Sequence, residues 1–205
     1  MALFLSFEGG EGCGKSTQAR ALYRRLQRYG VPVVLTHEPG GTPLGARVRR
    51  VLKRVTGTDV SPLAELFLVN ASRAQLVRDI IAPNLAGGTA VICDRFTDST
   101  IAYQGYGRAM EMRAVEDVNY LATRGLAPDL TVLMDVPVEL GLARKGGGGR
   151  DRFESEDVAF HQRVRQGYLE LAAGDPGRWL VVDATLPRRE IGARVWRRVS
   201  ELLSR

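Results

Sequence analysis

The chain has 205 residues, 44% of them hydrophobic and 25% charged, with a formal net charge of +6. That length suits one α/β domain with its own core, and the composition is that of an ordinary globular protein. No apolar run approaches the roughly 20 residues that a membrane helix needs, so no membrane partner is expected.

The first predicted strand is LFLSFE (3–8). No basic start precedes it, so it reads as a strand and not as a leader, and the expected compartment is the cytoplasm. Four more nearly continuous apolar runs follow: VPVVLT (31–36), TAVIC (89–93), LTVLM (130–134) and WLVV (179–182). Strands buried on both faces read this way. Helical stretches are predicted between them, over 15–29, 44–55, 62–82, 113–124, 138–144, 156–172 and 187–205. Ser61-Pro62 is a helix start by cap and first-turn proline. The alternation predicts a three-layer fold, a five-stranded parallel sheet with helices on both faces. No repeat or linker divides the chain, so residues 1–205 are read as a single domain. GGGG at 146–149, flanked by Arg144, Lys145, Arg150 and Arg152, reads either as a surface loop or as a short lid near 144–154 carrying arginines onto a nucleotide.

Directly after the first strand comes EGGEGCGKST (8–17). The spacing Gly9-x-x-x-x-Gly14-Lys15-Ser16 satisfies the P-loop pattern between a strand and a helix. In such a loop backbone N–H groups turn inward on phosphate oxygens, aided by the positive end of the helix dipole. Gly9, Gly10, Glu11, Gly12, Cys13, Gly14, Lys15, Ser16 and Thr17 are therefore the predicted ATP cradle. Lys15 would reach the β- and γ-phosphates and Ser16 would ligate Mg²⁺. Three predicted strands end in an aspartate, Asp94, Asp135 and Asp183, and pattern alone does not choose among them as a metal partner. Asp94 is followed by Arg95, which puts a carboxylate and a phosphate-binding fork together. Cys13 and Cys93 are too few and too far apart for a disulfide framework or a zinc pair. They read as small core or loop residues, with an oxidisable Cys13 thiol as the sharper alternative. His37 and His161 have no convincing catalytic partner.

Beyond the third strand, ICDRFTDSTIAYQG (92–105) gathers Asp, Arg, Thr, Tyr and Gln in one turn region, where open α/β sheets bind ligands. HEPGGT (37–42) follows the second strand similarly. EGGEGCGKST, EPGGT, the helix bearing Arg73, DRF…STIAYQG and DRFE (151–154) together resemble the bacterial thymidylate kinases, in order and along nearly the whole chain. The resemblance implies transfer from ATP to dTMP, and a homodimer. It implies Arg95 on the dTMP phosphate, Asp94 organising Mg²⁺, and Glu11 on the sugar 3′-hydroxyl. Thr100, Gln104 and Arg73 would meet thymine, and Tyr103 would lie below the deoxyribose. Glu38 and Arg49 are further acceptor-side candidates, and Glu8 has no assigned role.

Two departures stand out. Val69 stands four residues before Arg73, where the family commonly has a Phe stacking on thymine, with Phe67 nearby and read as core. Stacking on a base is worth roughly 1–3 kcal/mol, so weaker monophosphate binding or a compensating contact is expected. A kinase for another monophosphate such as dUMP stays open as the alternative. Gly12 stands where one branch carries a P-loop arginine, so the lid must supply that cation, with Arg150 favoured over Arg144 and Arg152. Basic residues are scattered without interleaved aromatics, so nucleic acid is not an expected partner.

Overall fold

The computed structural model describes residues 2–53, 60–145 and 151–204. The expected glycine run at 146–149, Arg150, and the helix end at 54–55 lie outside the described residues.

Five strands form one parallel sheet: β1 (Phe4–Glu8), β2 (Val33–His37), β3 (Ala90–Asp94), β4 (Leu130–Asp135) and β5 (Trp179–Asp183). Their spatial order is β2-β3-β1-β4-β5. β1 is central, hydrogen-bonded to β3 on one side and β4 on the other, and all five of its residues are buried. The alternating directions of successive side chains along a strand sort it cleanly. Leu5 and Phe7 join one core, under α1 (Lys15–Arg28) and α9 (Arg188–Leu203), with Leu22, Leu26, Ile191, Val195 and Val199. Phe4 points to the opposite layer, where Leu76, Ile81 and Phe96 cover the sheet. Glu8 shares the direction of Phe4 and is therefore buried beneath that layer.

The remaining helices are α2 (Pro43–Lys53), α3 (Pro62–Leu76), α4 (Ala82–Ala86), α5 (Thr97–Thr100), α6 (Met112–Thr123), α7 (Val138–Arg144) and α8 (Val158–Gly174). α3 begins as expected, with the Ser61 hydroxyl accepting from the Ala64 N–H at 3.3 Å. It continues through a π-helical turn (Val77–Ile81) into α4, next to Pro83, which has no N–H to offer the ladder. Two sequence readings change. The stretch after β3 is not an open turn: α5 runs on as a π-helical segment (Ile101–Gly107) packed on α8. Phe67 is not a core residue. It is 54% exposed, because its α3 face is turned away from the sheet.

Candidate active site

The carboxyl ends of β1, β2 and β3 open on one cleft of about 1030 Å³, large enough for two nucleotides side by side. Residues 11–14 of the loop after β1 line its floor. Gly9 and Gly12 have φ values of 136° and 64°, which an L side chain rarely adopts. A Cβ on Gly9 would lie 2.6 Å from the Met134 carbonyl oxygen. A Cβ on Gly12 would run into the Gly141 carbonyl of α7, and one on Gly141 into the Glu11 carbonyl. The loop and α7 thus meet backbone to backbone, and no side chain fits at position 12.

Lys15, at the first turn of α1, is buried and folds back over the loop. Its Nζ donates to the carbonyls of Gly9 at 3.0 Å and Gly10 at 2.8 Å, and lies 3.4 Å from the buried Cys13 thiol. The Ser16 hydroxyl donates to Asp94 Oδ2. The other two strand-end aspartates are engaged elsewhere: Asp135 with Arg165 at 2.7 and 2.9 Å, and Asp183 with Thr185. Ser16 and Asp94 are hard oxygen donors of the kind that hold Mg²⁺ together with phosphate oxygens and waters, so the pair fits that ion.

Arg95 follows β3 with a φ of 73°, a left-handed conformation that swings its side chain back across the end of β1. Its NH1 donates to the Gly9 carbonyl at 3.0 Å, Ser99 at 3.1 Å and Tyr168 at 3.0 Å. Its NH2 donates to Glu11 at 3.0 Å and Tyr103 at 2.9 Å. Burial opposes its charge, but Tyr103, Tyr168, Glu11 and Glu8 hold its pKa above the usual arginine value. Glu11 sits in the mirror situation. Burial pushes its carboxyl upward, yet Arg95, Lys15, the Tyr103 hydroxyl and Lys145 hold it well below the usual carboxylate range. A fixed anion and a fixed cation therefore face each other in the cleft.

Glu8, unassigned from sequence, organises this corner from beneath. It accepts from the Phe96 N–H at 2.6 Å, the Ser99 hydroxyl at 2.5 Å and the Tyr168 hydroxyl at 2.9 Å. Ser99 and Tyr168 are two of the groups that hold Arg95. Burial and the nearby Asp98 outweigh these donors and Arg95, and push the Glu8 pKa up to about 7.

On the far wall, Arg73 is 1% exposed and forms a 2.6 Å ion pair with Glu38, at the end of β2. The same guanidinium reaches Thr100 at 2.8 Å, Asn70 at 3.1 Å, Asn119 at 2.7 Å and the Phe96 carbonyl at 3.0 Å. One arginine thus ties α3, α5, α6 and β2 together while lining the cleft. Gln104 lines the same wall and donates to the buried Glu65 at 2.6 Å. Arg49 donates to the Pro39 carbonyl at 2.9 Å. Val69 is buried against Val48 and Leu52 and also borders the cleft.

The arginines expected in a lid are divided. Arg144 borders the cleft and donates to the Ala184 carbonyl at 3.0 Å. Arg152 turns away from the P-loop, donating to the Leu52 carbonyl at 2.9 Å and pairing with Glu65. Among the described residues, the cation closest to Glu11 after Arg95 is Lys145, named from the sequence only as a flank of the glycine run, whose Nζ is 3.5 Å from Glu11 and 2.6 Å from Glu154. Glu65 and Tyr168 were also missed. Their partners lie 39 to 160 residues away along the chain, and no local spacing signals them.

Residues 7–195 match the family model described as thymidylate kinase. The chain belongs to the thymidylate kinase family. It is 54% identical over 203 residues to the thymidylate kinase of Dehalococcoides mccartyi, covering 99% of this chain and 98% of that one. It is 48% identical to that of Deinococcus radiodurans, covering 97% of each. The crystal structure of thymidylate kinase from Ehrlichia chaffeensis superposes with a TM-score of 0.73 at 38% identity, over 88% of this chain and 92% of that chain. Family membership agrees with the five-stranded parallel sheet and the P-loop read from the sequence.

Proposed function

We propose that the protein transfers the γ-phosphoryl group of ATP to dTMP, giving dTDP and ADP, with Mg²⁺ at the Ser16–Asp94 pair. Family membership supports the reaction. The observation that carries the site assignment is Arg95, which spans from the P-loop carbonyl of Gly9 to Glu11 and Tyr103. A phosphate held there lies next to the cradle.

Phosphoryl transfer needs alignment and charge neutralisation more than covalent help. The loop amides and the α1 terminus receive the donor phosphates. Lys15 exchanges its Gly9 and Gly10 carbonyl contacts for phosphate oxygens. Mg²⁺ held by Ser16 and Asp94 would supply charge neutralisation at the phosphates. Arg95 holds the acceptor phosphate as a fork, and its left-handed backbone aims it. Glu11, kept ionised, accepts from the sugar 3′-hydroxyl, and Tyr103 fills the space below the sugar. Thr100, Gln104 and Arg73 face the edge of the base, with Glu38 holding Arg73 in place and Arg49 at the entrance. The acceptor is already a phosphate dianion, so no general base is required. With position 12 closed to side chains, the assisting cation comes from the segment after α7, with Arg150 assigned to it. Residues 1–205 act as one kinase domain with that segment as its lid.

The protein works in the cytoplasm as a homodimer. The adjacent helices α3 and α6 leave Leu63, Phe67, Tyr120 and Leu121 in solvent, which supports a second copy covering them.

ADP production with Mg·ATP against dTMP, dUMP, ribo-TMP, dCMP, dGMP and AMP tests the reading. Strong stimulation by dTMP, with ribo-TMP much poorer, is expected. Equal stimulation by all six, or none by any, would overturn it.

A further inference from the structure

A planar base needs surfaces above and below it as well as partners at its edge. In this cleft the edge partners, Thr100 and Gln104, come from the segment after β3. The α3 wall beside them is Val69, a small aliphatic residue. Tyr103 is already engaged: Arg95 lies over its ring at 4.8 Å from the centroid, and its hydroxyl donates to Glu11 at 2.8 Å. The other phenyl ring bordering the cleft is Phe153.

Phe153 is half-buried and bridges two apolar clusters. It packs on the cluster of Val48, Leu52 and Val69, and on the one containing Tyr103 and Phe160. Its ring meets that of Tyr103 edge-on, with centroids 5.8 Å apart at 83°. The backbone beneath it is fastened tightly. Asp151 Oδ1 accepts from the N–H groups of Phe153 and Glu154, both at 3.0 Å, and Asp151 Oδ2 pairs with Lys53 at 2.6 Å. Arg152 donates to the Leu52 carbonyl, pairs with Glu65, and lies 4.6 Å over the Phe153 ring. Glu65 also holds Gln104.

From this arrangement we infer that Phe153 supplies the aromatic surface for the acceptor base, occupying with Val69 the position that a larger side chain on α3 would fill alone. The ring is a specificity-determining contact delivered by the 151–156 segment. The Arg152–Glu65–Gln104 chain keeps the ring and the base-edge amide in register. The small Val69 is what leaves room for it.

The inference rests on the acceptor being a nucleoside monophosphate, and the wild-type panel above tests that separately. Phe153→Ala is expected to raise the KM for dTMP about tenfold, the loss of one base–aromatic stack, with the KM for ATP within twofold. Phe153→Leu, which keeps the apolar volume, is expected to raise it by a smaller factor, and it serves if the alanine variant does not fold. Val69→Phe in the Phe153→Ala background is expected to restore dTMP affinity, measured by calorimetry, to within about threefold of wild type. An unchanged KM for dTMP in both Phe153 variants, or equal increases for ATP and dTMP, would overturn the inference, as would failure of Val69→Phe to restore binding.

Discussion

The Glu11 carboxylate and the Arg95 guanidinium form an ion pair 3.0 Å apart with the Tyr103 hydroxyl donating to the same carboxylate oxygen at 2.8 Å. On the proposed reading Arg95 is oriented in advance, and an arriving phosphate would meet a cation that needs no rotamer search. Arg95→Ala is expected to lower kcat/KM for dTMP by a factor of 10² or more, on the scale of one lost charge-assisted fork in a desolvated site. The KM for ATP should change far less. Steady-state kinetics with each substrate varied in turn checks the split. A loss shared equally by both substrates would show that Arg95 serves the P-loop instead.

The pairing of Arg73 with Glu38 carries a different prediction. Both side chains are at most 2% exposed, so Arg73→Ala leaves a buried carboxylate without its cation. Breaking such a pair costs roughly 3–5 kcal/mol. For a chain of this size that corresponds to a fall in Tm of about 10 °C, readable by calorimetry. The same variant also loses contacts to Thr100, Asn70 and Asn119, so dTMP binding should weaken in parallel.

Glu8 makes stability depend on pH. Its folded pKa is about 7, raised by burial and Asp98 from an ordinary value of 4.5. A raised carboxyl favours the folded state while protonated, so its contribution is complete below pH 4.5 and is lost as the pH climbs to 7. The full difference is roughly 3 kcal/mol. Glu8→Gln, which stays neutral, is therefore expected to flatten the decline in stability between these pH values. Denaturant titrations of the two proteins at several pH values compare the slopes, and parallel profiles would count against a titrating Glu8.

Position 12 is predicted to tolerate nothing larger than hydrogen. Gly12→Ala puts a Cβ against the Gly141 carbonyl at a φ of 64°. The loop or α7 must shift, and turnover is expected to fall at least tenfold, because small displacements of aligned groups are costly. ADP formation and ATP binding, measured on the same preparation, should both decline.

Much of the architecture is legible in the sequence because the three central strands are buried on both faces. AVIC and LTVLM are apolar but for one threonine, and no amphipathic helix reads that way. The P-loop is legible because its chemistry is local. The segment at 97–107 is not, since TDSTIAYQGYG has neither a helical nor a strand period. It is helical because Arg73, Glu8 and α8 supply its partners from elsewhere. Phe67 was misread for a related reason: an aromatic residue beside a core position carries no mark of which way its helix is rotated. Glu8 and Glu65 are invisible as organisers because each collects donors from distant parts of the chain.

The seating of Gly12 on Gly141 also bears on how such a chain can diverge. Placing a transfer-assisting cation in the P-loop would need a side chain at 12, and every side chain there requires the loop or α7 to shift. The two elements would have to change together, and each intermediate carries a displaced cradle. Position 12 and α7 are therefore a coupled pair in this chain, and a change at either has to be met at the other.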